Sequence, residues 1–186
     1  DDANNRVLRY SPPFSNGMDA DVALGQVDLY HGDPNQGVFA DQTTLNRPKG
    51  IAIDNAGNLY VAEYENNRVT RFTFPFSTGM TASGVYGQPN YFATDPNNGG
   101  IGPGSLSYPV DIAVSADGAA LYVTDQWNVR VLGYANPLSD AVADQVYGQP
   151  DFTSATPNNG GISASSINEE PLGVAVDAQG ALYHAD

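Results

Sequence analysis

Few side chains in this chain could do metal or acid–base chemistry. His31 and His184 are the only histidines, cysteine is absent, and two adjacent carboxylates, Glu169 and Glu170, stand near the C-terminus. A divalent cation needs several converging oxygen or nitrogen ligands. The candidate metal ligands are therefore Glu169, Glu170 and His31, the two acids meeting near a twofold axis if two chains associate; no other cofactor is expected. His184 stands where the equivalent segments carry Val61 and Val123, which points to packing within a strand. Acids and arginines recur at one spacing, Glu63 with Arg68 and Asp125 with Arg130, and the two ends supply a third set, Asp186 with Arg6. A feature present in every copy belongs to the scaffold: an acid ending one strand and an arginine opening the next can pair across the turn between them. Asp54, Asp117 and Asp177 lie in tight turns, where aspartate serves turn geometry. Gly-rich phosphate loops, a G-x-S-x-G elbow and Cys/His clusters are absent, so no catalytic residue is assigned.

Binding is a better use of the residues that differ between equivalent positions. Tyr64 and Glu65, Gln126 and Trp127, and Asp2 and Ala3 occupy one recurring loop, while Arg47, Tyr108 and Glu169 with Glu170 stand at a second recurring position. Unlike side chains on equivalent loops of a rigid scaffold suit ligand contact. The candidate binding residues are Trp127, Gln126, Tyr64, Glu65, Arg47 and Tyr108; the plain alternative is a set of solvated loop residues.

The elements that carry these loops form a repeat. Gly50–Asp54 and Leu59–Ala62 are apolar runs joined by Asn55-Ala56-Gly57-Asn58, which reads as a β-hairpin. Asn67–Phe72 follows as a third strand with period-two alternation. The pattern that begins at Leu45 begins again at Leu106 and at Ile167, a period of about 61 residues that points to stacked or ring-closed units. The third copy stops at Asp186 without its third strand, and Asn4–Tyr10 supplies an equivalent segment at the other end. Short outer strands follow at Val22–Gln26, Val85–Gln88 and Val146–Gln149, and each leads into a Pro/Asn/Gly loop that forbids an α-helix.

Composition agrees with this all-β reading. The 186 residues include 20 Gly and 13 Pro. Seven Lys and Arg against 21 Asp and Glu leave a net charge of −14, so nucleic acid is not expected as a partner. No apolar run approaches the roughly 18 residues of a membrane span, and no membrane partner is expected. The chain begins with Asp rather than Met and shows no signal-peptide pattern, which fits a processed mature chain or a piece of a longer one; secretion or a periplasmic location is compatible, and the compartment stays open.

Pro-x-Gly-Ile/Val-Ala-Ile/Val-Asp, then Gly-x-Leu-Tyr-Val-Ala-Asp/Glu, then Asn-Asn-Arg-Val resembles the NHL repeat, and Gly148–Thr153 resembles NHL-repeat proteins of bacteria. Val129 in place of the second Asn and His184 in place of Val are among the departures. The resemblance implies four-stranded β-propeller blades, three per chain: 45–92, 106–153, and one split between 167–186 and 4–26. Propellers close with four to eight blades. The expectation is a homodimer in which the split blades are completed between chains, giving the six-bladed ring usual for the family. The function implied is a non-catalytic propeller scaffold that binds a protein, peptide or carbohydrate on its long-loop face. The alternative is a metal-dependent hydrolase or lyase at the tunnel mouth, although the ligand sets of the family's lyases do not map onto these residues.

Overall fold

A computed structural model describes residues 1–185. Twelve strands form four antiparallel sheets, with short 3-10 turns and no α-helix among the described residues. One full blade is the meander β3 (Pro48–Ile53), β4 (Leu59–Glu63), β5 (Arg68–Phe72) and β6 (Gly84–Tyr86). The next is β7 (Pro109–Val114), β8 (Ala120–Asp125), β9 (Arg130–Ala135) and β10 (Gln145–Tyr147). Two-stranded sheets flank them: β1 (Val7–Arg9) with β2 (Val22–Leu24), and β11 (Gly173–Val176) with β12 (Leu182–Ala185). The Pro/Asn/Gly loops contain 3-10 turns at Pro34–Gly37 and Pro157–Gly160, broken by left-handed Asn35 and Gln36 and by left-handed Asn158 and Asn159.

Period-two alternation sends each strand's side chains to two different neighbours. On β4, Leu59 and Val61 pack with Val22, Leu24 and Leu45, whereas Tyr60 and Ala62 pack with Leu106, Ile112 and Val123 of the following blade. On β8, Leu121 and Val123 join that second cluster, while Tyr122 packs toward Ile167 and Val174. A sheet buried on both faces is what face-to-face blade stacking requires, and this is a β-propeller arrangement. The inner strands β3, β7 and β11 lie side by side.

Each junction is locked by one close approach. Gly25, Gly87 and Gly148 have positive φ, and Leu45, Leu106 and Ile167 lie over them; a Cβ at Gly87 would stand 2.5 Å from Leu106 Cγ. The turn acids serve turn geometry: Asp54 Oδ1 accepts the Ala56 and Asn58 N–H groups, and Asp177 Oδ1 accepts those of Gln179 and Ala181.

Glu63 accepts from Arg68 Nε at 2.9 Å and Asp125 from Arg130 Nε at 2.8 Å, with all four side chains fully buried. The arginines do more than neutralise charge. Arg68 Nη2 donates to the Asp41 and Thr44 carbonyls, and Arg130 Nη2 to those of Gly102 and Ser105, tying the third strand to the loop that enters the blade. Burial pushes the Asp125 carboxyl above the usual carboxylate range, against the pull of Arg130, Asn128 and the Ser107 N–H. Asp186, the third acid of the sequence pattern, lies outside the described residues, and Arg6 pairs with Asp1 at 2.7 Å.

Candidate functional site

The loops between the second and third strands and the entrances to the inner strands share one face. Glu63 ends β4 and Arg68 begins β5, so the turn between them must project Tyr64 and Glu65. Asp125 and Arg130 do the same for Gln126 and Trp127. The Tyr64 N–H donates to the Arg47 carbonyl, and that of Trp127 to the Ser107 carbonyl, which fixes each loop to its own blade's entrance.

Four candidate side chains meet in a continuous row. The Arg47 guanidinium lies 5.5 Å from the Tyr64 ring centre; Tyr64 and Tyr108 rings are 4.8 Å apart, and Tyr108 and Trp127 rings 4.3 Å apart. Aromatic pairs at such separations are attractive beyond their burial, and a cation over a ring adds to this. Tyr64 and Tyr108 are half-buried, whereas Trp127 is 62% exposed and ends the row facing solvent. Glu65 bonds Arg47 at 3.3 Å. Beyond Trp127 the row opens into a cleft of about 510 Å³, where Tyr64, Gln126, Val129, Glu169 and Glu170 are among the lining residues.

Three residues that sequence reasoning did not assign to the site position it. Lys49 lies 5.7 Å from the Tyr64 ring centre and bonds Asp2 at 2.5 Å. Asn5 and Asn67 act as latches across blade junctions. Asn67 Oδ1 accepts the Tyr108 N–H at 2.8 Å and its Nδ2 donates to the Thr94 carbonyl; Asn5 does the same with the Arg47 N–H and the Gly32 carbonyl. Both held residues are strained, with φ of 49° at Arg47 and 53° at Tyr108. The signal was present in the Asn-Asn-Arg motif, where only the first Asn joins the buried acid. At the third junction Val129 replaces the latch and offers neither donor nor acceptor. Glu169, the next entrance residue, is not in the left-handed region, and the acidic cleft opens there.

The candidate metal ligands are divided. Glu169 and Glu170 line the cleft, but His31 lies in the loop after β2, where Nδ1 bonds Asp28 at 2.8 Å. No three His, Asp or Glu side chains form a metal-binding group among the described residues.

Residues 45–72 hold one copy of the repeat, three strands of the first full blade and the buried Glu63–Arg68 pair. Residues 45–72 match the NHL repeat family. No curated protein matches the chain. Among solved structures it is similar to virginiamycin B lyase from Staphylococcus aureus, at 20% identity over 75% of this chain and 34% of that one, TM-score 0.44. It is also similar to Kuenenia stuttgartiensis hydrazine synthase, at 18% identity over 81% of this chain and 32% of that one, TM-score 0.50. The chain thus spans about a third of the length of these structures. The similarity is one of fold alone, and a shared fold does not fix function.

Proposed function

We propose that this chain is a non-catalytic NHL-type propeller scaffold that binds a partner on the face carrying the Arg47–Tyr64–Tyr108–Trp127 row. The single observation behind this reading is that row: three rings in succession, the last exposed, running from a cation into a cleft flanked by Glu169 and Glu170. A row of tilted rings ending in an exposed indole next to carboxylates complements a ligand with an apolar body and donor or cationic groups, as in a basic peptide or a sugar. Charge favours the basic peptide, because the chain carries a net −14 and Glu169 and Glu170 border the exposed ring.

Trp127 is the only tryptophan, so its emission reports this surface alone. Titration with octalysine and, separately, with cellohexaose, followed by intrinsic fluorescence, tests the reading. The expected result is a saturable change with either probe, weakened by Tyr108→Ala, which removes the ring packed against Trp127. Binding that Tyr108→Ala and Glu170→Gln leave unchanged would place the partner elsewhere.

A further inference from the structure

The third blade junction departs from the other two in ways that meet in one place. Asn5 and Asn67 each bridge a carbonyl, of Gly32 or Thr94, to the N–H of an entrance residue, Arg47 or Tyr108. One period on, the members of that bridge are Val129, Ala155 and Glu169, and Val129 has no donor for the Ala155 carbonyl. The entrance is also longer. Two residues separate Leu45 from the buried Pro48, and Leu106 from Pro109, but three, Asn168, Glu169 and Glu170, separate Ile167 from Pro171. With the extra residue, Glu169 stands outside the left-handed region that Arg47 and Tyr108 occupy. Val129, Ala155 and Glu169 all line the cleft of about 510 Å³ beside Trp127, so the cleft lies where the other two junctions are latched.

The residues around this cleft offer acceptors and rings. Glu169 and Glu170 carry carboxylates, Ala155 a carbonyl without the donor that its counterparts have, and Tyr64 and Trp127 aromatic surface. The cations of the chain are committed elsewhere. Of the seven Lys and Arg residues, Arg6, Arg9, Arg47, Lys49, Arg68 and Arg130 each pair with an acid outside the cleft, and Arg71 bonds Ser83 and the Pro137 carbonyl. Among the described residues, no ion pair involves Glu169 or Glu170, and both are exposed.

We infer that this cleft takes an arginine side chain of the partner, its guanidinium stacked on Trp127 and donating to the Glu169 and Glu170 carboxylates and the Ala155 carbonyl. This rests on the reading of the Trp127 face as a binding surface, and it narrows the basic peptide to one that presents arginine. A guanidinium is planar, stacks on an aromatic face and carries a fork of N–H donors, whereas an ammonium is a compact, strongly hydrated point charge. Several acceptors grouped around a ring therefore select arginine over lysine. The interior of the fold already holds guanidinium groups in this manner: Arg68 and Arg130 each donate to one carboxylate through Nε and to two carbonyls through Nη2.

Octaarginine and octalysine carry equal charge, so the general attraction of a chain with net charge −14 is common to both, and any difference between them is local. Each peptide is titrated at physiological ionic strength against the unaltered chain, Glu170→Gln and Val129→Asn, with Trp127 emission and calorimetry as readouts. Val129→Asn puts a side-chain amide beside the Ala155 carbonyl, and thermal unfolding checks that both variants are folded. The expected result is about tenfold tighter binding of octaarginine than of octalysine, a preference that Glu170→Gln reduces and Val129→Asn abolishes. Equal affinities for the unaltered chain, or an arginine preference that both variants keep, overturn the inference and leave the Trp127 face a binding surface. No response to either peptide or to cellohexaose overturns that reading as well.

Discussion

Asn67 Oδ1 accepts the Tyr108 backbone N–H at 2.8 Å, so a side chain of one blade sets the backbone of the next. The bond holds Tyr108 at φ 53°, with its ring between Tyr64 and Trp127. Asn67→Ala removes it and leaves the Thr94 carbonyl without its donor. The expected loss is about 1–3 kcal/mol, together with a red shift of Trp127 emission as the ring row loosens. Denaturant titration and emission spectra check the two effects; a stability loss without the spectral shift would mean that Asn67 does not position the rings.

Val129 tests the same latch in reverse. It is a β-branched residue at φ 54°, a conformation that asparagine tolerates far better. Val129→Asn is expected to stabilise the chain by about 1 kcal/mol, the relief of strain outweighing lost contact with Ile167. Thermal unfolding measures it, with Val129→Ala as the control that should destabilise.

The Glu63–Arg68 pair carries a larger stake. Glu63 also accepts from Asn66 and Thr70, and neither member of the pair is exposed. Arg68→Met leaves the buried Glu63 carboxylate without its counter-charge and the Asp41, Thr44 and Tyr91 carbonyls without the guanidinium donor, and is expected to cost about 3–5 kcal/mol. Paired replacement, Glu63→Gln with Arg68→Met, should recover part of that loss in a double-mutant cycle; urea midpoints for the four proteins decide it.

Asp2 links the N-terminal turn to Arg47 and Lys49. Partial burial opposes ionisation, but Lys49 and Arg47 outweigh it and hold the carboxyl below the usual range. A folded-state value below the unfolded one, about 3.9, means that the contribution is fully present above that pH and is lost as pH falls through the lower folded value. Asp2→Asn should therefore differ from the unaltered chain at pH 6 and converge with it near pH 2. The group is exposed enough that 0.5 M salt should shrink the difference, and thermal unfolding at the two pH values and two salt levels reads it.

The blades were legible in the sequence because strand periodicity, turn residues and a repeat of about 61 residues are local or periodic signals. The acid–arginine pairing was legible for the same reason: Glu63 and Arg68 bracket one turn, so backbone geometry alone brings them together. The candidate loops could also be chosen, since residues that depart from a repeat stand out against it. What the sequence could not order was the row itself. Tyr64 and Tyr108 are 44 positions apart and belong to different blades, so their contact depends on how closely two sheets stack, which Leu106 over Gly87 determines. The carbonyls that Arg68 and Arg130 hold, and the role of Asn67 as a latch across the junction, depend on the same stacking. Local pattern specified the strands and turns; only packing between sheets decided which side chains share a surface, because that contact is made by residues far apart along the chain.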